Sequence, residues 1–239
     1  MSQKRALLLM GGADYHNRPF HFAELAGILA GEGGVDLRIT TDLATLNPGT
    51  LAAYDAVINW STFVQPTAEQ VDALLAATEG GMGFFAIHGG SATFWNSGPY
   101  LGMLGSRFMR HDPYKEFLVE IDDPDHPITK GVDDFLVEDE LYQQGGNIEE
   151  LVVFAANVSG EQPYGGDAKN LGDGPLSDDI HVLASAEGFP LIYTRPWGKG
   201  RVHYNALGHD EKALKNPKFR KIVLQGFDWV TESSGLAVR

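Results

Sequence analysis

The sequence predicts an α/β protein with a doubly wound, mostly parallel sheet, and two observations carry that prediction. Short apolar runs alternate with amphipathic helical patterns along the N-terminal half of the chain. Each apolar run ends in glycine or in polar residues, as a buried parallel strand does where it enters a loop. Helices that alternate with parallel strands cover both faces of the sheet, so we expect a three-layer sandwich.

The N-terminal half contains two predicted helices and four predicted strands. The first helix begins at Pro19, which suits a first helical turn, and ends near Gly31. The second follows Thr67, whose spacing to Gln70 forms a capping box, and ends at Gly80. The predicted strands are residues 5–10, 35–40, 56–60 and 83–87.

The C-terminal half is less regular. Residues 157–180 are rich in Gly, Pro, Asp and Asn and predict a long surface loop. Neither a repeat nor a linker is visible, so residues 1–239 are predicted to form a single domain with an irregular insertion around 157–180. Strand patterns lie at residues 117–121, 181–184, 190–194 and 201–205, and a helical pattern lies at residues 216–230.

Composition excludes several classes of protein. The chain has no cysteine, which rules out disulfides, thiolate metal ligands and a cysteine nucleophile. Its net charge of −14 argues against nucleic-acid binding, because phosphate contacts require cations. No apolar stretch approaches the ~20 residues of a membrane span, and the first residues lack a signal peptide's apolar region. We therefore expect a cytoplasmic protein without a nucleic-acid or membrane partner.

Histidines follow three of the predicted strands. His16 follows the first strand, His88 the fourth and His209 the last. Ligands of doubly wound sheets bind beyond the carboxyl ends of the strands, so these side chains are candidates for a shared site. The strand that runs into His88 and then into Gly89-Gly90 resembles a nucleophile elbow, although histidine is unsuited to acyl transfer and no G-x-S-x-G motif occurs. Any one of these histidines alone would more often be structural.

A series of short motifs extends along nearly the whole chain. They are Asp14-Tyr15-His16, Ala86-Ile87-His88-Gly89, residues 95–100 and 105–111, Asp125-His126-Pro127-Ile128-Thr129, Asp139-Glu140-Leu141-Tyr142, residues 198–202 and Leu207-Gly208-His209. In their order and spacing they resemble the ThuA-like (trehalose utilisation) family of the class I glutamine amidotransferase-like superfamily. The resemblance implies a flavodoxin-like fold that has lost its cysteine nucleophile. It also implies a role in trehalose or disaccharide utilisation, on an oxidised (3-keto) sugar, by isomerisation, elimination or hydrolysis.

The residues support two mechanisms. In one, His88, His111, His209 and Glu140 bind a divalent metal, with zinc, manganese or iron suited to imidazole and carboxylate ligands. In the other no metal binds, and His88 and Glu140, with His209, act in acid–base catalysis. Adjacent residues of a strand point to opposite faces, so only one of Asp139 and Glu140 is expected to reach the pocket.

Further residues near the strand ends are predicted to bind a small-molecule sugar. They are Tyr15, His16, Ser91, Trp95 and Tyr142, among which the aromatic rings could stack on a sugar or belong to the core. A non-catalytic carbohydrate-binding or regulatory protein is the alternative to an enzyme, and the sequence leaves this choice open. It also leaves open whether the chain forms a homo-oligomer.

Overall fold

A computed structural model describes residues 3–95, 97–145 and 177–232. The strands are β1 (Arg5–Leu9), β2 (Asp36–Thr40), β3 (Ala56–Asn59), β4 (Gly83–Ile87), β5 (Phe108–His111), β6 (Lys115–Ile121), β7 (Phe135–Asp139), β8 (Tyr142–Gln144), β9 (His181–Ala186), β10 (Phe189–Trp197) and β11 (Gly200–Asn205). The α-helices are α1 (Pro19–Ala26), α2 (Pro48–Leu51), α3 (Ala68–Glu79), α4 (Gly98–Leu104), α5 (Glu211–Lys215) and α6 (Pro217–Thr231). Short 3-10 turns lie at Asp14–His16, Leu43–Thr45 and His88–Ser91, and a π-helical turn at Gly27–Glu32 continues α1.

Nine strands form one mixed sheet in the order β2-β1-β3-β4-β11-β10-β9-β6-β7. The first five of these pair in parallel, in the strand order of flavodoxin-like folds. The last four extend the sheet by antiparallel pairing. Strands β5 and β8 form a separate antiparallel ribbon. The predicted α/β fold with a largely parallel core sheet is confirmed, and its antiparallel extension is an addition to it.

Helices cover the two faces of the sheet. Helix α6 packs on β3, β4 and β11 and contacts α5, which in turn contacts α1. Helices α2, α3 and α4 contact one another in sequence, and α3 and α4 also contact β11. Thr67 caps α3 together with Gln70 in the capping box that the sequence predicts. No helix among the described residues is long and apolar enough to cross a membrane.

Three strands, β5, β7 and β8, are not predicted from the sequence. Strands β5 and β8 are short, with four and three residues, and carry little periodic signal. Strand β7 lies within the densely acidic stretch of residues 122–140, and its buried residues alternate with more exposed ones. Its carboxyl end nevertheless delivers Asp139 and Glu140 to the site. Of the predicted surface loop at 157–180, residues 157–176 lie outside the described residues.

Candidate metal centre

Four strand ends deliver ionisable side chains to one point: His16 after β1, His88 after β4, Glu140 after β7 and His209 after β11. One potential ligand atom from each lies within 4.8 Å of the others. The Nε2 atom of His16 is 2.8 Å from His209 Nδ1 and 3.1 Å from His88 Nε2. The Oε2 atom of Glu140 is 3.1 Å from His209 Nδ1 and 3.5 Å from His88 Nε2. We call these four residues the His3Glu cluster.

His88 occupies the elbow that the sequence predicts. Its φ of 46° lies in the left-handed region, which non-glycine residues rarely adopt. A Cβ atom on Gly89 would lie 2.0 Å from Thr62 Oγ1, so only glycine fits after the elbow. The Nδ1 atom of His88 donates to the Ala206 carbonyl over 2.7 Å. In the neutral ring this bond leaves the lone pair on Nε2, which points to the centre of the cluster.

His16 is buried and held from two directions. Its Nδ1 pairs with Thr62 Oγ1 at 2.9 Å, and the Trp60 indole nitrogen donates to its carbonyl over 3.0 Å. Burial, followed by the proximity of His88 and His209, holds the pKa of His16 well below its ordinary value. A neutral imidazole is the form that binds a metal.

Glu140 and His209 form the charged pair of the cluster. Burial acts to raise the pKa of Glu140, but hydrogen bonds from His209 and His88 outweigh it and lower that pKa. Burial likewise acts to lower the pKa of His209, and the hydrogen bond and charge of Glu140 outweigh it and raise that pKa. Without a metal, Glu140 is therefore an anion that is stabilised by the imidazoles around it.

Two buried residues surround the loop that carries His209. The carboxylate of Asp139 accepts hydrogen bonds from the backbone N–H groups of Gly208, His209 and Glu140. The Nε2 atom of His21 donates to the His209 carbonyl over 2.9 Å, and burial lowers the pKa of His21 to about 4. Of the adjacent carboxylates, Glu140 thus reaches the cluster and Asp139 holds a loop.

A cavity of about 370 Å³ opens on one side of the His3Glu cluster. Its volume is within the range of small-molecule sites, and much of its wall is aromatic. His88 is fully buried and is not part of the wall. The described residues that line the cavity are Tyr15, His16, Thr62, Phe63, Ala92, Phe108, His111, Glu140, Tyr142 and His209.

The predicted site residues fall into three groups in the structure. His88, Glu140 and His209 meet in the cluster, together with His16, which the sequence analysis assigns to substrate binding. His111 lies beside the cluster, with its Nε2 3.5 Å from Glu140 Oε1 and its Nδ1 donating to the Asp112 carbonyl over 2.7 Å.

Of the predicted sugar-binding residues, Tyr15 and Tyr142 line the cavity, whereas Ser91 and Trp95 do not. Ser91 is fully buried and pairs with Tyr204 at 2.7 Å, and Trp95 is almost fully buried. Burial and then the charge of Glu140 raise the pKa values of Tyr15 and Tyr142, so both phenols stay protonated and can donate hydrogen bonds.

The donor set of the cluster fits a divalent transition metal. Three imidazoles and one carboxylate suit zinc, manganese or iron better than they suit magnesium or calcium, which prefer all-oxygen sites. Neighbouring ligand atoms around a tetrahedral ion lie about 3.4 Å apart for metal–nitrogen bonds of ~2.1 Å. Four separations within the cluster are 2.8 to 3.5 Å, and all of its ligand atoms lie within 4.8 Å of one another, so the separations lie on both sides of that value. The four residues could therefore hold an ion with small side-chain shifts.

Several residues of this site are not identified by the sequence analysis. Asp139 is recognised only as a neighbour of Glu140, and His21 lies in no motif that indicates a role. Thr62 follows β3 at the same sheet edge, and this position could have indicated a residue of the site. Its hydrogen bond with His16 cannot be predicted from the sequence. Phe63 lines the cavity without any motif that indicates it, and Phe108 lies in the motif at residues 105–111 without a predicted role.

The comparisons with known proteins agree with this architecture. No curated protein matches the chain. A ThuA-like protein from Bacteroides uniformis has a TM-score of 0.70 at 20% identity, over 95% of this chain and 91% of that one. A ThuA-like protein from Parabacteroides merdae has a TM-score of 0.72 at 17% identity, over 97% of this chain and 91% of that one. A protein described as part of a GMP synthase, from Thermoplasma acidophilum, has a TM-score of 0.55 at 12% identity, over 95% of this chain and 94% of that one.

At these identities the structural likenesses establish the fold alone, which is of the ThuA-like and amidotransferase-like kind. The family is established by sequence, because the model of the ThuA family, described as trehalose utilisation, matches residues 5–230. The chain therefore belongs to the ThuA, or trehalose utilisation, family.

Proposed function

We propose that the protein is a metal-dependent enzyme of sugar utilisation that removes the proton next to the carbonyl of a keto-sugar. Membership of the trehalose utilisation family supports a role in sugar utilisation. The observation that carries the proposal further is the convergence of three imidazoles and one carboxylate at the wall of an aromatic cavity. Loss of this proton is the shared first step of isomerisation and β-elimination, so the proposal covers both outcomes.

The His3Glu cluster supplies the ligands in this proposal. A divalent ion bound there would polarise a sugar carbonyl and acidify the adjacent C–H bond. His88 is suited to the role of ligand rather than acid or base, because it is fully buried behind His16 and His209 and its Nδ1 is committed to the Ala206 carbonyl. Its Nε2 faces the other ligand atoms, not the cavity.

His111 is the residue best suited to move the proton. Its Nδ1 donates to the Asp112 carbonyl, so the neutral ring carries its lone pair on Nε2. That nitrogen lies 3.5 Å from Glu140 Oε1, the oxygen that does not face His88 and His209, and the ring lines the cavity. His111 can thus accept a proton at Nε2 while Glu140 stabilises the resulting charge.

The aromatic wall binds and orients the sugar in this proposal. Phe63, Phe108, Tyr15 and Tyr142 offer apolar faces to the C–H surface of a ring, and the two phenols donate hydrogen bonds to its hydroxyls. The substrate is therefore a small sugar, and we propose that the protein acts on it in the cytoplasm, without a nucleic-acid or membrane partner.

The test combines metal analysis with an exchange assay. Protein without a histidine tag is stripped with a chelator, resupplied separately with zinc, manganese or iron(II), and analysed for bound metal. We expect about one ion per chain in the wild type and much less in His88→Ala, with His126→Ala, a histidine outside the cluster, as the control. The loaded protein is then incubated with a 3-keto glucoside in D2O, and deuterium next to the carbonyl is followed by NMR.

The exchange assay separates the proposed roles. We expect deuterium incorporation with the loaded wild type and none with His88→Ala. His111→Gln is expected to retain the metal and to lose exchange. A wild type that binds no ion after resupply, or a loaded protein that catalyses no exchange, would contradict the proposal. Sugar binding without exchange would support the alternative of a non-catalytic carbohydrate-binding protein, which the aromatic wall also suits.

A further inference from the structure

We infer that Asp139 and His21 are positioning residues that clamp the peptide of His209 and so set the geometry of the metal centre. The inference rests on the proposed metal centre and adds two residues that do not themselves bind the ion. His209 lies on the loop between β11 and α5, and such a loop would otherwise leave its ring free to reorient. The clamp acts on both sides of this residue, at its N–H group and at its carbonyl.

Asp139 holds the N–H side and connects two ligands. Its Oδ1 accepts from the N–H of His209 at 3.1 Å and from the N–H of Glu140 at 2.8 Å. Its Oδ2 accepts from the N–H of Gly208 at 2.6 Å. One buried carboxylate therefore sets the backbone positions of both Glu140 and His209. A carboxylate that accepts three backbone hydrogen bonds is well satisfied without a cation.

This connection matters because the two ligands come from distant parts of the sheet. Strand β7, which precedes Glu140, is the last strand of the sheet, and three strands separate it from β11, which precedes His209. Direct strand pairing thus does not set the distance between Glu140 and His209. The bonds of Asp139 to Gly208 and His209 join the two strand ends at the site.

His21 holds the carbonyl side. Its Nδ1 accepts from the backbone N–H of Arg18 at 3.2 Å, which leaves Nε2 as the protonated nitrogen that donates to the His209 carbonyl at 2.9 Å. The side chain is fully buried and stands 5.5 Å, centroid to centroid, from the ring of Trp60. Because the His21 ring is hydrogen-bonded at both nitrogens, it fixes the His209 carbonyl relative to α1.

Residues that orient metal ligands typically change metal affinity by about 10–100-fold when they are replaced. We expect Asp139→Asn to weaken metal binding by about that factor, since the amide offers one acceptor oxygen fewer and would turn N–H groups toward the N–H of Gly208. His21→Leu is expected to weaken binding by about tenfold, and His21→Gln, whose amide can still donate, by less.

The experiment measures affinity and ligand geometry separately from stability. Zinc dissociation constants are determined by competition with a chelator, and the visible absorption bands of the cobalt(II)-loaded protein report the ligand geometry. His203→Leu is the matched control, because His203 is equally buried and also donates to one backbone carbonyl, that of Tyr193 over 3.0 Å, but lies outside the cluster. The melting temperature of each metal-free variant measures its purely structural cost.

The expected result is that both leucine variants lower the melting temperature, while only His21→Leu weakens zinc binding and shifts the cobalt bands. Asp139→Asn should shift the bands further; if it does not fold, the comparison of His21→Leu, His21→Gln and His203→Leu still decides. Wild-type affinity and unchanged bands in Asp139→Asn and His21→Leu would overturn the inference and leave the metal centre intact. A wild type that binds no zinc, cobalt, manganese or iron would overturn the metal centre and the clamp together.

Discussion

Replacement of Gly89 by alanine tests whether the turn after the elbow supports the metal centre. A Cβ atom there would lie 2.0 Å from Thr62 Oγ1, whereas real Cβ contacts are not shorter than 3.0 Å. Thr62 would have to move by about 1 Å, and its Oγ1 is the partner of His16 Nδ1 at 2.9 Å. Gly89→Ala should therefore disturb a ligand that it does not contact.

The magnitude follows from two costs. Overpacking of a tight interior costs about 1–3 kcal/mol, and the loss of the Thr62–His16 hydrogen bond adds about 1 kcal/mol. We expect Gly89→Ala to lower the free energy of unfolding of the metal-free protein by about 2–4 kcal/mol. For a chain of this size that is a decrease of about 4–16 °C in melting temperature. Urea unfolding with and without zinc measures both the stability and the effect on metal binding.

A double-mutant cycle identifies the cause. Thr62→Ala alone should cost about 1–3 kcal/mol, because it leaves His16 Nδ1 without its hydroxyl partner. The double variant lacks the clash with Oγ1 and keeps only tight contacts, 3.2 Å to the Cβ of residue 62 and 3.3 Å to the Ser61 carbonyl oxygen. It should cost little more than Thr62→Ala, so the two changes should be strongly non-additive. Gly31→Ala is the control, since a Cβ there meets nothing within 4 Å, and its effect should stay under about 1 kcal/mol. Additive costs in the cycle would refute the steric reasoning.

Two further predictions concern stability away from the metal. Burial lowers the pKa of His203 to about 3, so the folded protein keeps this ring neutral while the unfolded chain protonates it below its ordinary value of 6.5. Its contribution to stability is thus present above pH 6.5 and is lost as the pH falls toward 3. Urea unfolding of the metal-free protein should show that the free energy of unfolding falls between pH 6.5 and 4, and that it falls less steeply in His203→Leu, by about 1.4 kcal/mol per pH unit. Equal dependence on pH in the wild type and the variant would contradict this effect of His203. Thr67→Ala should lower the free energy of unfolding by about 1 kcal/mol through loss of the capping box of α3, with no change in zinc affinity.

The parallel half of the fold is predictable because its signals are local. Apolar strands that end in glycine, Pro19 at the start of α1 and the capping box at Thr67 each act through neighbouring residues. The elbow is predictable for the same reason, since a buried strand that runs directly into His88 and two glycines requires a tight turn. The antiparallel strand β7 is not, because it lies within an acidic stretch and its alternation of buried and exposed residues covers only five positions.

The residues of the site also divide into those that local sequence predicts and those that depend on tertiary contacts. Strand order and the rule that ligands bind at carboxyl ends place His16, His88 and His209 at one edge from the sequence alone. Which nitrogens meet depends on side-chain directions and on the path of β7. The sequence predicts His111 as a metal ligand and His16 as a sugar-binding residue, whereas His16 lies in the cluster and His111 beside it. Local sequence thus determined the tight turn at His88 and the edge of the sheet at which the histidines lie. The motif at residues 139–142 already predicts Glu140 as a ligand. Only tertiary packing decided that His16 rather than His111 joins it and that Asp139 holds the loop of His209, because contacts between distant segments have no local pattern.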